Sequence, residues 1–159
     1  MRNIISSIEG EFRKYKRLAE LAIGQLSEQQ FSESAPGANS VTALVWHVSG
    51  NLKSRFTEFL ETDGEKPWRD KASEFQPRNV SRAELLARWN DGWAALFQSL
   101  EKLTDDQLAA FVKIRGEQLR VDQALHRALA HASYHAGQII YQAKALQGAS
   151  WKDLKTVGR

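Results

Sequence analysis

Four histidines occur in the chain, and three of them, His126, His131 and His135, fall within the segment ALHRALAHASYHAGQII. Two imidazoles four residues apart on a helix project from one face, a turn apart, where both can grip a single ion. With Leu125 as origin and about 100° per residue, His131 and His135 lie at about −120° and about −80°, whereas His126 lies at about +100°. The pair therefore shares one edge of an apolar stripe, and His126 sits on the opposite edge. Applied to the segment around His47 with Val41 as origin, the calculation puts His47 at about −120° and Asn51 at about −80°. Helices that pack by their apolar stripes bring such flanks together on one side of the seam, which makes His47 the candidate third ligand. Three neutral imidazoles form an open site: a divalent ion keeps its charge there and retains positions for water or a thiol. HASYH has no Glu after its first His, so zincin-type proteolysis is not supported. An imidazole beside a core stripe is also commonly a packed, hydrogen-bonded side chain, and the spacing alone leaves that reading open.

Composition narrows the chemistry further. None of the 159 residues is Cys, which excludes disulfides, Cys-ligated zinc, iron–sulfur clusters and a cysteine nucleophile. A metal must be held by His, Asp or Glu, and any thiol taking part in a reaction must arrive as a substrate. The 22 Lys and Arg residues against 19 Asp and Glu leave a net charge of only +3, so nucleic acid is not implied. The run Arg13-Lys14-Tyr15-Lys16-Arg17 reads as the solvated face of a helix. The N-terminal residues meet acidic side chains too early for a secretory signal, which favours the cytosol, and no window reaches the roughly 20 apolar residues of a membrane span.

The elements that must position these histidines are helical. Apolar residues recur three or four apart from about Asn3 to Leu26, from Ser40 to Leu60, from a Ser81-to-Glu84 capping box through Leu100, and from Val121 to Leu146, with Gly148 as the stop. Ser27 to Gln30 and Thr104 to Gln107 read as capping boxes of short turns. Residues 61–80, with two Pro, a Gly and mixed charges, form a long connection that is a candidate for function. FVKIRGEQLR, residues 111–120, alternates around Gly116 as an extended or hairpin-like excursion, and Glu117 reaches the site only if that excursion folds over the bundle end. The expected architecture is all-α: one domain over residues 1–159, an antiparallel four-helix bundle with one long crossover connection and a small extended excursion before the last helix. Asn51 and Gln138, each on the flank of a histidine, are candidates to orient an imidazole or hydrogen-bond a bound water. Gly137 is expected to permit close helix approach, and Tyr134 and Tyr141 to point away from the core. Most of the five Trp are expected in the core or an interface, with one available to wall a pocket, and Trp151 to pack back onto the bundle.

Two segments carry a family resemblance. SVTALVWHVSGNLKSRF, with its single His, resembles the second-helix signature of the DinB-like (YfiT-like, damage-inducible) superfamily, and HASYHAGQIIYQAK resembles its fourth-helix signature of His-x-x-x-His followed by Gly-Gln-Ile. Residues 114–117 and the tail from Trp151 resemble an uncharacterised subgroup. The resemblance implies a metal-binding triad carried here by His47, His131 and His135, nickel or zinc as the ion, and a homodimer. It also implies a divided set of activities: transfer of low-molecular-weight thiols, thiol-dependent isomerisation, hydrolysis, or no known reaction. The readings carried forward are a metal-dependent thiol transferase or hydrolase acting on a small thiol or electrophile, and a non-enzymatic dimeric bundle with a structural or vestigial metal site. A DNA-associated stress protein is the weakest of the three.

Overall fold

The structure is a computed structural model that describes residues 1–157, and it is an all-α helical bundle carrying one small two-stranded sheet. Four long helices, α1 (Asn3–Gly24), α2 (Val41–Phe56), α3 (Arg82–Lys102) and α4 (Val121–Gln147), form its body, and a single turn, α5 (Leu154–Val157), follows. Helix α2 packs on α3 and α4, and α1 packs on α4 and α3, so α2 and α4 are neighbours in the bundle. Trp89 and Trp93 of α3 and Phe12 of α1, all fully buried, fill its centre, with Phe12 and Trp93 edge to face at 6.3 Å. No helix among the described residues is long and apolar enough to cross a membrane.

The helix ends follow local chemistry. Ser40 accepts the Ala43 N–H and starts α2, Ser81 and Glu84 close a reciprocal capping box on α3, and Gly148 ends α4 at φ 53°. Ser27 and Gln30 bond each other's backbone as expected, and the turn they open is a 3₁₀ turn at Gln29–Ser32. Helix α2 is shorter than its apolar pattern suggests. It stops at Phe56, because Thr57 is extended and Glu58 takes φ 50°, yet Phe59 still reaches the core from the turn beyond. In α1 the buried stripe drifts to Ala19, Ala22 and Ile23, leaving Leu18 and Leu21 half-buried. Gly137 does not mediate close packing, since a Cβ there would meet nothing within 4 Å. The close approach lies instead between α2 and α3, where a Cβ on Gly92 would come 2.5 Å from the Ser49 Cα.

The excursion is a hairpin, β1 (Phe111–Ile114) paired antiparallel with β2 (Glu117–Arg120), with Ile114 opposite Glu117. Arg115 and Gly116 form its two-residue turn, both at positive φ, 56° and 76°, as a type I′ turn demands. This hairpin and the long connection hold each other. Asp63 accepts from the Arg115 and Gly116 N–H groups at 2.9 and 2.8 Å, and the Gly64 N–H donates to the Lys113 carbonyl at 2.8 Å. Lys66, 8% exposed, turns inward and donates to the Ser54 carbonyl, tying the connection to α2. Of the tryptophans, Trp89 and Trp93 are core, Trp46 and Trp151 pack against it, Trp68 is exposed, and none borders the cavity described below.

Candidate metal centre

Helices α2 and α4 bring His47, His131 and His135 together, with one potential ligand atom from each within 4.8 Å of the others. His131 is central: its Nε2 lies 3.1 Å from His47 Nε2 and 3.2 Å from His135 Nε2. The outer two rings are fixed from behind. His47 Nδ1 sits 2.9 Å from a Glu74 carboxylate oxygen, and His135 Nδ1 sits 2.7 Å from the Gln138 side-chain oxygen. Each acceptor takes an Nδ1–H, which selects the tautomer whose Nε2 carries a lone pair. Two lone pairs then converge on His131 Nε2, and one proton there can satisfy only one of them. His131 Nδ1, buried and without a partner among the described residues, gives no further relief. A cation among the three nitrogens removes this conflict. Ligand nitrogens about 2.0–2.1 Å from a common ion at tetrahedral angles stand about 3.4 Å apart, and at right angles about 3 Å, a range that brackets the two separations from His131, while the three atoms together lie within 4.8 Å.

Electrostatics agree with neutral imidazoles. Burial, then the proximity of His135 and His47, and then of Arg69 and Arg55, lowers His131 to about 3. Burial likewise pushes His135 below the usual histidine value, against the opposing bond to Gln138. Both groups are thus held in the form that binds metal.

The support behind His47 comes from the long connection. Glu74, 2% exposed, lies in a 3₁₀ turn at Ser73–Phe75 packed on α2. Arg69 grips it from Nε and Nη2 at 2.7 and 3.0 Å, a two-pronged pair well matched to a carboxylate. Burial alone would raise the Glu74 pKa, but the bonds from His47 and Arg69 outweigh it and the net direction is down. Phe75 covers the His47 ring at 5.0 Å between centroids. Gly50 makes the arrangement possible, since a Cβ there would collide with the Glu74 carboxylate. Glu74, Arg69 and Gly50 were not among the residues expected at the site. The only sequence signal for them was a glycine three residues after His47 inside a buried helix, together with the mixed charges of residues 61–80.

The other expected residues divide. Gln138 bonds His135, whereas Asn51 bonds no imidazole: it lines a cavity of about 360 Å³ that opens beside His47 and His131. Glu117 borders the same cavity, so the hairpin does fold over this end of the bundle. His126 is exposed and apart from the cluster, and Tyr134 and Tyr141 are 65% and 77% exposed.

The whole chain, residues 1–159, matches a family described as "Protein of unknown function (DUF1572)". The protein belongs to the DUF1572 family. A solved structure of similar fold is the "conserved protein of locus from Enterococcus faecalis", 19% identical, covering 90% of this chain and 96% of that one at a TM-score of 0.68. At that identity the likeness speaks for the bundle alone. No curated protein matches the DUF1572 chain. Its three-His cluster is an arrangement that could hold a metal.

Proposed function

We propose that this DUF1572 protein is a divalent-metal enzyme of the DinB-like class, with His47, His131 and His135 as ligands and thiol transfer or hydrolysis as its reaction. The observation that carries the reading is the convergence of three Nε2 atoms whose Nδ1 partners have already fixed the two outer rings. Three imidazoles suit nickel or zinc, and an ion so held supplies Lewis acidity and lowers the pKa of a bound water or thiol. The remaining work falls to the chain. Glu74 and Gln138 keep two rings oriented and raise their basicity. Phe56 and Phe59 wall the cavity and limit water, and the Asn51 amide faces the same space as a donor or acceptor for substrate. No side chain can serve as a thiol nucleophile, so the attacking group enters as water or as a substrate thiol. A cytosolic homodimer belongs to the same reading, supported by the resemblance and, on α4, by the exposed Tyr134 and Tyr141.

Metal analysis of untagged protein, alongside His47→Ala and His135→Ala, tests the ligands. Stoichiometric nickel or zinc in the wild type and its loss in both variants is the expected result; unchanged metal content in both would sink the assignment. A panel of low-molecular-weight thiols with electrophiles and esters tests the reaction. Turnover abolished by chelation is expected, and its absence across the panel favours the non-catalytic metal bundle.

A further inference from the structure

The cavity beside the histidines has a charge pattern that the chain as a whole lacks. Across the sequence cations and acids nearly balance at 22 to 19, but the cavity lining holds Arg55, Arg69, Lys71, Arg115 and Arg127 against the single acid Glu117. Three of these cations are engaged. Arg69 is paired with Glu74, Arg115 with Glu65 at 2.9 Å, and Arg55 with the Gly64 carbonyl and, at 3.5 Å, the same Glu65. Lys71 and Arg127 side chains have no hydrogen bond or ion pair among the described residues. Arg127 stands one helical turn before His131 on α4, so its guanidinium and the histidine cluster share a face. Lys71 comes from the connection that supplies Glu74, on the α2 side of the cavity. Burial depresses Arg55, with Glu65 opposing that shift and Arg69 and Arg115 adding to it. Phe56, Phe59, Ile114, Ala124 and Ala128 supply an apolar part of the same lining, to which His47 and His131 also belong.

We infer that this cavity takes a small anionic substrate whose carboxylate or phosphate is anchored by Arg127 and Lys71, with a short apolar body against Phe56 and Phe59 beside His47 and His131. A guanidinium receives either group through paired N–H donors and an ammonium adds a point charge, whereas a neutral substrate forms no ion pair with either. The inference rests on the metal-site reading only in calling the anion a substrate; anion binding itself is measurable on metal-free protein.

The test titrates succinate, inorganic phosphate and neutral succinamide into metal-free full-length protein by calorimetry, and repeats the series on zinc-loaded protein. At least one anion is expected to bind with succinamide about tenfold weaker or more, and Arg127→Gln and Lys71→Gln are each expected to weaken the anion about five- to tenfold. Both side chains are exposed, so neither change threatens the fold, and zinc content should stay at the wild-type level in both variants. His131→Ala should lose zinc while keeping anion binding on metal-free protein, which separates failure of the anion site from failure of the metal site. Succinate binding without phosphate identifies a carboxylate, and the converse identifies a phosphate. Equal binding of succinamide and succinate, binding of neither anion, or wild-type anion affinity in both variants would overturn the inference.

Discussion

The two outer histidines of the cluster are held in place by different means. His47, 7% exposed, leans on a carboxylate 27 residues away in sequence, itself gripped by an arginine and admitted by a glycine. His135, only half-buried, leans on the neutral amide of Gln138, three residues along its own helix. The first support is charged and tertiary, the second neutral and local. A carboxylate behind an imidazole raises its basicity more than an amide does, so the His47 side should set metal affinity and the His135 side should adjust it. The first also ties the site to folding, because Glu74 and Arg69 are buried together and neither is tolerated alone.

The largest effect is therefore expected at Glu74. Glu74→Gln leaves the Arg69 guanidinium, with 6% of its side chain exposed, facing a neutral group, and denaturant unfolding should show a loss of about 3 kcal/mol. Metal affinity should fall by about ten- to a hundredfold in the same variant. Combining it with Arg69→Met should restore much of the stability but none of the affinity. Restoration of both would mean that the carboxylate acts only by neutralising Arg69, and the contrast between the two histidines would collapse. Gly50→Ala comes next. In an unconstrained helix that exchange stabilises by about 0.5–1 kcal/mol, but the Cβ collision with Glu74 should reverse the sign to a cost of about 1–3 kcal/mol. In a Glu74→Ala background the cost should vanish, a coupling that thermal or denaturant melts of the four proteins would measure.

This contrast also marks what the sequence could disclose. His131, His135 and Gln138 lie on one helix, so a period of 3.6 residues is enough to place them, and the core stripe of α2 places His47 on a matching flank. Glu74, Arg69 and Lys71 belong to a stretch with no period, whose path is set by Lys66 on the Ser54 carbonyl and by Asp63 on the hairpin turn. Such contacts are tertiary and leave no regular trace in the chain. Turn chemistry was more visible: Gly116 announced the hairpin and Gly148 the end of α4. The end of α2 was not, because Phe59 continues its apolar pattern after the helix has stopped. Burial of Ser49, Gly50 and Ser54 on the other face of α2 reflects Gly92 and the connection, neither of which periodicity can detect.

Acid should act on the central histidine and on the charged support behind His47 in the same direction. His131 is lowered to about 3 in the folded chain against about 6.5 when unfolded, so between those values the unfolded state binds the additional proton and stability falls as pH falls. Glu74 is also lowered, so its contribution is present above its unfolded value and is lost as pH drops through the folded one. Denaturant midpoints of metal-free protein should decline steadily from pH 7 to pH 4, and His131→Phe should flatten the upper part of that decline. A midpoint independent of pH over this range would show that His131 is not held neutral.

The smallest effect is expected at Gln138. Removing its amide by Gln138→Ala strips the acceptor from His135 Nδ1, but a half-buried ring is open to water, which can accept the same N–H. Stability should change by no more than about 0.5 kcal/mol, since alanine also favours the helix. Metal affinity should drop less than tenfold, well short of the change at Glu74, because water replaces the hydrogen bond and only the fixed ring orientation is lost. Competition with a chelator, run in parallel on Gln138→Ala and Glu74→Gln, measures that ratio directly. An equal or larger loss at Gln138 would mean that orientation of His135, and not the charge behind His47, governs the ion.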